Sequence, residues 1–375
     1  MILENQSELF NIPDDVTFLN CANMSPLLKK VNQAGIEAIN KRNNPWKIKI
    51  DDWFSPAEEL RLLLANIIKG DKENIALIPS VSYGMAIAAN NISLTNQQTI
   101  IILEQQYPSN VYAWRELSKR SGSKIITIKR ELNQTWTEAI ITKINSNTGL
   151  VAIPNCHWTD GSLIDLEKVS KAAKKVNAKL VIDASQSLGA YPLDISKIMP
   201  DFLVTVGYKW LLGPYGLGYL YADSKYFKTG KPIEFSWLNK LGSEDFTSLV
   251  DYTEEYKSGA RRFDAGEFSS FIHIPMAIAS LTQIIDWGVE NIQDTLSELT
   301  DVIEKRARDL GLETPKRNSR VGHMIGIKFT DNQVSTLSKK LVDNKVFISF
   351  RGTSMRIAPH LYNDKKDIDK LFSFL

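Results

Sequence analysis

Cysteine is scarce in this chain: Cys21 and Cys156 are the only two in 375 residues. That is too few for a disulfide framework, and the repeated Cys or His spacing of a zinc site is missing. Long apolar runs are missing too. No stretch of about 18 or more apolar residues is available to span a bilayer. The opening MILENQSELFNIPDDVTF has neither the basic n-region nor the apolar core of a signal peptide, so no membrane is expected and the cytoplasm is the expected address. Charge of one sign is equally absent. With 45 basic and 43 acidic residues the net charge is +2, with no long block of either sign, so composition does not point to nucleic acid or a membrane surface. Internal repeats and low-complexity tracts are lacking. So are a Walker-type Gly-Lys-Ser/Thr loop and a well-placed Gly-x-Gly-x-x-Gly, which argues against a nucleotide-binding enzyme. What is present is a globular composition, 43% hydrophobic and 23% charged, with length for two domains or one large domain with an appendage. The expected partners are a small molecule and a second copy of the chain.

Apolar runs short enough for buried strands alternate with helical patterns at Thr99 to Leu103, Lys124 to Ile128, Leu150 to Ile153, Lys179 to Ile182, Phe202 to Val206 and Leu217 to Tyr221. The alternation predicts an α/β fold with a largely parallel sheet. Ser55-Pro56-Ala57-Glu58-Glu59 supplies an N-cap, a proline at the first helical position and acidic residues in the first turn, and Gly70 a stop. Asp165 is the expected cap of a helix from Leu166 to Val176. Beyond about residue 235 the pattern changes to a loop rich in charge and aromatics, then two helices across Ile272 to Leu310. Apolar runs follow at Met324 to Phe329, Val334 to Val342, Val346 to Phe350 and Met355 to Ala358. The expected division is a large domain over residues 15–240 and a smaller α+β domain from residues 1–14 and 241–375.

The sharpest segment is Val204-Thr205-Val206-Gly207-Tyr208-Lys209-Trp210-Leu211-Leu212-Gly213-Pro214, where a lysine follows a buried strand. A buried ammonium is costly unless paired or neutralised, and an amine made neutral by desolvation forms an imine with an aldehyde. Taken alone, Lys209 reads more readily as a lysine snorkelling from a strand end to solvent. Asp183 changes that balance. Leu180-Val181-Ile182 runs straight into Asp183-Ala184-Ser185-Gln186, placing an acid at the carboxyl end of a buried strand, where open α/β sheets bind ligands. Capping the next turn is the ordinary alternative. Together the two residues supply what pyridoxal 5′-phosphate (PLP) needs: an amine for its aldehyde and a carboxylate that keeps its ring nitrogen protonated. Ser80-Val81-Ser82-Tyr83-Gly84 leaves an apolar run and enters a helix, so Ser82, Tyr83 and free backbone N–H groups are candidates to hold a phosphate. Gln105-Gln106-Tyr107-Pro108 places an aromatic ring after another strand, to stack on a cofactor or to pack on the domain.

In this order the motifs resemble the class V aminotransferase family of fold-type I PLP enzymes, a family that also includes cysteine desulfurases, kynureninases and isopenicillin-epimerase-like proteins. The likeness covers nearly the whole chain, from Phe18-Leu19-Asn20-Cys21-Ala22-Asn23-Met24-Ser25-Pro26 to Gly207-Tyr208-Lys209-Trp210-Leu211-Leu212-Gly213-Pro214. The resemblance implies a large domain with a mostly parallel seven-stranded sheet and a smaller C-terminal domain. It implies that Lys209 is the Schiff-base lysine and proton shuttle at Cα, and that Asp183 is the partner of the pyridinium. It further implies that Gln186 bonds the ring's phenolic oxygen, that Tyr107 stacks on the ring, and that Ser82, Tyr83 and Tyr208 help hold the phosphate. Arg356 matches the clamp for the substrate α-carboxylate, a task suited to two parallel N–H donors. In Asn155-Cys156-His157-Trp158-Thr159-Asp160-Gly161, His157, Trp158 and Thr159 are pocket candidates, Thr159 for the cofactor and His157 for the substrate, with core packing or turn formation as the alternatives. Val206 and Glu267 depart from the pattern, standing where many relatives have a phosphate-binding serine and threonine. A homodimer with shared active sites is also implied, with Arg261, Arg262 and Phe263 in the candidate contact loop or in an exposed basic turn.

The expected activity is that of a PLP enzyme acting at Cα of an amino acid. Transamination comes first because it needs no further specialised group; a kynureninase-like lyase and an epimerase are the alternatives. Cysteine desulfurase is disfavoured because Ile348-Ser349-Phe350-Arg351-Gly352-Thr353 carries no cysteine, and the attacking species there is a thiolate. Arg351 is a second positive charge for an acidic substrate, or a surface residue. A non-catalytic binding protein on the same fold is opposed by the presence of Lys209 and Asp183 together.

Overall fold

The computed structural model describes residues 1–131 and 134–375. A short strand, β1 (Thr17–Phe18), and two helices, α1 (Lys29–Arg42) and α2 (Ser55–Ile68), lead into a central sheet. Its strands are β2 (Ile75–Ile78), β3 (Thr99–Leu103), β4 (Lys124–Ile128), β5 (Thr148–Pro154), β6 (Lys179–Asp183), β7 (Phe202–Val206) and β8 (Gly218–Ala222). They lie in the order β2-β8-β7-β6-β5-β3-β4. Only β8 runs antiparallel to its neighbours; the remaining pairings are parallel. This is the α/β fold with a mostly parallel seven-stranded sheet that the apolar runs and the resemblance led one to expect.

The sheet is covered on both faces, which is why its inner strands read as continuous apolar runs. Every residue of β5, β7 and β8 is buried. Successive side chains point to opposite faces: Ile101, Val151, Ile182 and Leu203 join one apolar layer with Leu60 and Leu64 of α2. Ile100, Leu150, Val181 and Val204 join the other, under α3 (Val81–Asn91) and α4 (Tyr112–Ser121). The crossovers also include α5 (Trp136–Lys143), α6 (Leu166–Lys175) and a short α7 (Ile195–Ile198). Asp165 caps α6 as its sequence suggests, accepting from the Lys168 N–H at 3.0 Å. At α2 the cap differs by one position. Phe54 is the N-cap, Ser55 the first helical residue, and the Ser55 hydroxyl donates to Asp51 in the preceding turn. Lys69, not Gly70, takes the left-handed conformation that ends this helix.

After the sheet come α8 (His273–Trp287), α9 (Val289–Asp309), β9 (Ile325–Lys328), α10 (Asp331–Asp343), β10 (Val346–Phe347), β11 (Ser349–Arg351), β12 (Ser354–Ile357) and α11 (Lys365–Phe372). The run Val346 to Phe350 is divided between two strands. β10 pairs in parallel with β1, while β11, β12 and β9 form a separate antiparallel sheet. The first residues lie against this part of the chain, with the Gln6 N–H on the Leu361 carbonyl at 2.8 Å and the Leu3 N–H on the Thr295 hydroxyl at 2.9 Å.

A buried ion pair ties the loop after β8 to the sheet. Arg61 on α2 forks onto both oxygens of Asp264 at 2.9 and 2.7 Å, and Asp264 also accepts the Leu77 N–H at 2.7 Å. Arg261 pairs with Glu58 and with Glu73, the latter at 2.7 Å, and Arg262 donates to the Gly230 carbonyl at 2.8 Å. The segment expected as a contact loop or an exposed basic turn therefore has all three buried within this chain: acids on α2 and before β2 take the Arg261 charge, the Gly230 carbonyl and the Tyr256 ring hold Arg262, and Phe263 packs in the apolar layer. Removing one member of a buried pair strands the other charge. Arg61→Met is expected to cost about 3–5 kcal/mol, read as a lower urea midpoint, while Lys119→Met in the exposed pair with Glu116 leaves the midpoint where it is.

Candidate active site

The carboxyl ends of β5, β6 and β7 and the amino end of α3 meet around a cavity of ≈ 240 Å³. Ser82, Tyr107, Asp183, Gln186, Tyr208 and Lys209 all line it. Asp183 is there because it ends β6, opposite Pro154 of β5. Lys209 is there because β7 must reverse direction into antiparallel β8, and the reversing loop is clipped shut: the Gly207 N–H bonds to the Leu217 carbonyl and the Gly213 N–H to the Gly207 carbonyl, both at 2.9 Å. The lysine turn and the aspartate turn are joined. Trp210 donates through its indole N–H to Gln186 Oε1 at 3.1 Å. Gly189 has φ +99°, and a Cβ there would stand 2.4 Å from the Trp210 carbonyl oxygen, so glycine lets the two turns touch.

Lys209 is 6% exposed, its ammonium 5.4 Å from the Tyr107 ring centroid and 5.8 Å from that of Tyr208. Among the described residues no carboxylate stands within ion-pair distance of it. Burial lowers its pKa to about 8; Asp183 opposes that shift, and Arg356 and Arg351 add to it. Asp183 accepts the Ser185 N–H at 3.0 Å, and burial raises its pKa, against the Ser185 hydrogen bonds and the Lys209 charge. A buried carboxylate and a buried amine thus face one cavity without pairing.

These groups fit PLP. The amine awaits an aldehyde, and the carboxylate awaits a cation such as a protonated ring nitrogen. α3 opens toward the cavity with the Ser80 and Ser82 hydroxyls 2.9 Å apart, and its free N–H groups suit a phosphate. Val206 lines the cavity and offers no hydroxyl, which leaves phosphate binding more dependent on the α3 turn. Gln186 spends its carbonyl oxygen on Trp210 and one N–H on the Ala22 carbonyl at 3.0 Å, leaving a second N–H. His323 bonds the Gln186 backbone carbonyl at 2.6 Å, and burial holds its pKa down at about 4.

Other expected contacts are placed differently. Tyr83 follows Ser82 by about 100° around the helix and packs its ring on the apolar layer between α3 and the sheet. His157 and Thr159 line a second cavity of ≈ 480 Å³. Their loop is closed by the His157 N–H on the Ser162 carbonyl at 2.8 Å and the Gly161 N–H on the His157 carbonyl at 2.9 Å, so alternate side chains face opposite ways. His157 stacks on Trp136 at 5.2 Å and bonds Thr159 at 2.7 Å and the Glu104 carbonyl at 3.1 Å. Trp158 instead lines the lysine cavity and meets Tyr107 edge-on at 5.4 Å. Arg356, on β12, is 1% exposed. One of its N–H groups reaches the Trp158 carbonyl at 3.0 Å, while Nε and Nη2 are buried without a partner. Both thiols are buried, and burial pushes each well above the ordinary range.

Sequence reasoning gave no role to Ser185, whose buried hydroxyl lines the cavity without a partner, nor to Gln106, Ser109 and Tyr215, which line it as well. The motif Asp183-Ala184-Ser185-Gln186 held the signal for Ser185: two residues past a strand end, a side chain returns to the site.

The aminotransferase class-V family model matches residues 52–371. An uncharacterised aminotransferase of Bacillus subtilis, YcbU, is 25% identical over 369 residues, covering 97% of this chain and 95% of its own. A kynureninase of Shouchella clausii is 23% identical over 379 residues, covering 96% and 87%. Among solved structures, a cysteine desulfurase from Thermococcus onnurineus superposes with a TM-score of 0.84 at 19% identity, over 100% of this chain and 98% of its own. A C-DES mutant with glycine covalently linked to its PLP cofactor superposes with a TM-score of 0.85 at 16% identity, over 96% of each chain. These two likenesses carry the fold.

The lysine alone yields a pH prediction. Lowered from 10.5 to about 8 in the folded chain, it costs the cofactor-free protein about 3 kcal/mol below pH 8. Between pH 8 and 10.5 the unfolded chain binds the extra proton, so this cost disappears as pH rises. Lys209→Met is expected to raise the urea midpoint of the cofactor-free protein at pH 7 and to lose that advantage near pH 10.5.

Proposed function

The chain belongs to the class-V aminotransferase family, whose cofactor is pyridoxal 5′-phosphate, and we propose that within it this protein acts at Cα of an amino acid as an aminotransferase. The observation that carries the reading is the unpaired Lys209 facing Asp183 across one cavity; Arg356, held through Trp158 of the cavity wall, keeps Nε and Nη2 open. When bound, the cofactor supplies a protonated aromatic ring that draws electrons from the substrate's Cα. Asp183 holds the proton on the ring nitrogen. Lys209, its basicity lowered by burial, takes and returns the proton at Cα, near the pKa that suits a general base at neutral pH. Arg356 fixes the α-carboxylate through its open N–H edge. Tyr107 and Trp158 cover the ring and exclude water.

A lyase or epimerase would use the same groups: return of the proton to Cα gives epimerisation, and departure of a β or γ substituent gives elimination or kynureninase-like cleavage. Desulfurases belong to the same family, and the test must include them. Here the two buried thiols and the thiol-free β10 to β12 segment support the transaminase reading over an attacking thiolate. A homodimer is part of the proposal, supported by apolar residues left in water, among them Phe235 at 80% exposure and Tyr252 at 96%. So is a cytoplasmic setting. Among the described residues no helix is long and apolar enough to cross a membrane.

Purified protein with PLP is expected to show a visible absorbance band that Lys209→Ala abolishes, with turnover falling about 10²–10⁴-fold. A panel of L- and D-amino acids is expected to convert the band to the pyridoxamine form with particular donors. A lysine-independent spectrum overturns the site. Turnover without the pyridoxamine form overturns transamination in favour of a lyase or epimerase, and sulfide release from cysteine in favour of a desulfurase.

A further inference from the structure

The hairpin that carries Arg356 carries a second guanidinium on the same face. Ser349 stands opposite Arg356 and Arg351 opposite Ser354, and residues opposite one another in an antiparallel pair share a face. Arg351 and Arg356 are therefore diagonal neighbours, with backbones roughly 7–8 Å apart. Arg351 reaches over the Trp158 ring, its guanidinium 5.3 Å from the centroid. That ring lines the lysine cavity, while Arg351 itself lines the adjoining one.

Among the described residues neither arginine has an acid. The other charges of the second cavity are matched: Lys328 with Glu313 at 3.7 Å, Arg130 with Asp160 at 3.7 Å, and Glu104 with Lys129 at 3.3 Å. Arg351 donates only to the Phe350 carbonyl at 2.8 Å and, at 3.3 Å, to Asn23 Oδ1, and its Nε is buried without a partner. Burial, with the Arg351 charge adding to it, brings the Arg356 pKa down to about 9. Two like charges held on one face of a hairpin are unfavourable until anions answer them. One α-carboxylate answers one of them.

We propose that Arg351 is a second carboxylate site, and that the substrate is an amino acid whose side chain ends in a carboxylate. The proposal rests on the amino-acid reading of the Lys209 site and adds the substrate class. Arg356 takes the α-carboxylate; the side chain runs along Trp158 toward Arg351, whose open Nε edge donates to the distal carboxylate. An arginine fork discriminates a carboxylate from the isosteric amide, because the amide brings no charge and turns an N–H toward a donor.

The test uses the wild-type holoenzyme with L-glutamate, L-glutamine, L-aspartate and L-asparagine, read as the concentration dependence of the change in cofactor absorbance and as kcat/KM. The acid is expected to be preferred over its amide by about 10- to 100-fold, the range of a charge-assisted hydrogen bond. Arg351→Gln is expected to lose at least ten-fold more on glutamate than on glutamine, with Arg351→Lys recovering part of the difference. Arg356→Gln is expected to weaken acid and amide alike. Equal use of acid and amide by the wild type overturns the proposal whether or not the variants fold. So does an Arg351→Gln variant that weakens both equally, which would make Arg351 part of the α-carboxylate hold. If no amino acid changes the spectrum, the amino-acid reading falls and this proposal with it; if neutral amino acids alone react, only this proposal falls.

Discussion

The site is organised by one constraint: an amine and a carboxylate, Lys209 and Asp183, are both buried at the carboxyl ends of adjacent strands and do not pair with each other. Left alone, each is an uncompensated polar group in a low-dielectric wall, and each titrates away from its ordinary value. The fold sustains this because Asp183 ends β6 and Lys209 sits in the clipped turn after β7, both anchored to buried strands. A cofactor that brings both an aldehyde and a basic ring nitrogen relieves both at once. The same logic extends outward to Arg356, whose open N–H groups ask for an anion.

The supporting contacts act to keep this unfavourable arrangement in register. Trp210 beside the lysine is bonded to Gln186 beyond the aspartate, so the two turns move together. Gly189 permits their contact, and His323 fixes the Gln186 backbone from the C-terminal part of the chain. The buried Arg61–Asp264 fork secures the sheet edge at β2, and α3, which follows β2, carries the hydroxyls that face the cavity. The site therefore rests on contacts from the sheet, from the loop after β8 and from the α9–β9 connection.

Much of this was legible in the sequence because buried parallel strands leave uninterrupted apolar runs and because the polar residues that end them stand out. Lys209 after Phe202 to Val206 and Asp183 after Leu180 to Ile182 are such residues, and both reach the cavity. Some expected contacts lie away from this cavity, for local reasons. His157 and Thr159 lie in the right loop, but the turn at Gly161 sends alternate side chains to opposite sides, a parity that cannot be read without the turn geometry. Tyr83 was paired with Ser82, although consecutive helical residues point about 100° apart. Arg261 reads as part of a contact loop or an exposed turn because the acids that bury it, Glu58 and Glu73, lie 203 and 188 residues away in sequence.

The central claim, that Lys209 is the residue to which the cofactor is joined, is tested most directly by incubating the protein with PLP, reducing with borohydride and locating the added mass by peptide mapping. The account predicts a single modified peptide, with the cofactor on Lys209. Modification of a different lysine under saturating cofactor, or an unmodified Lys209 peptide, would contradict it.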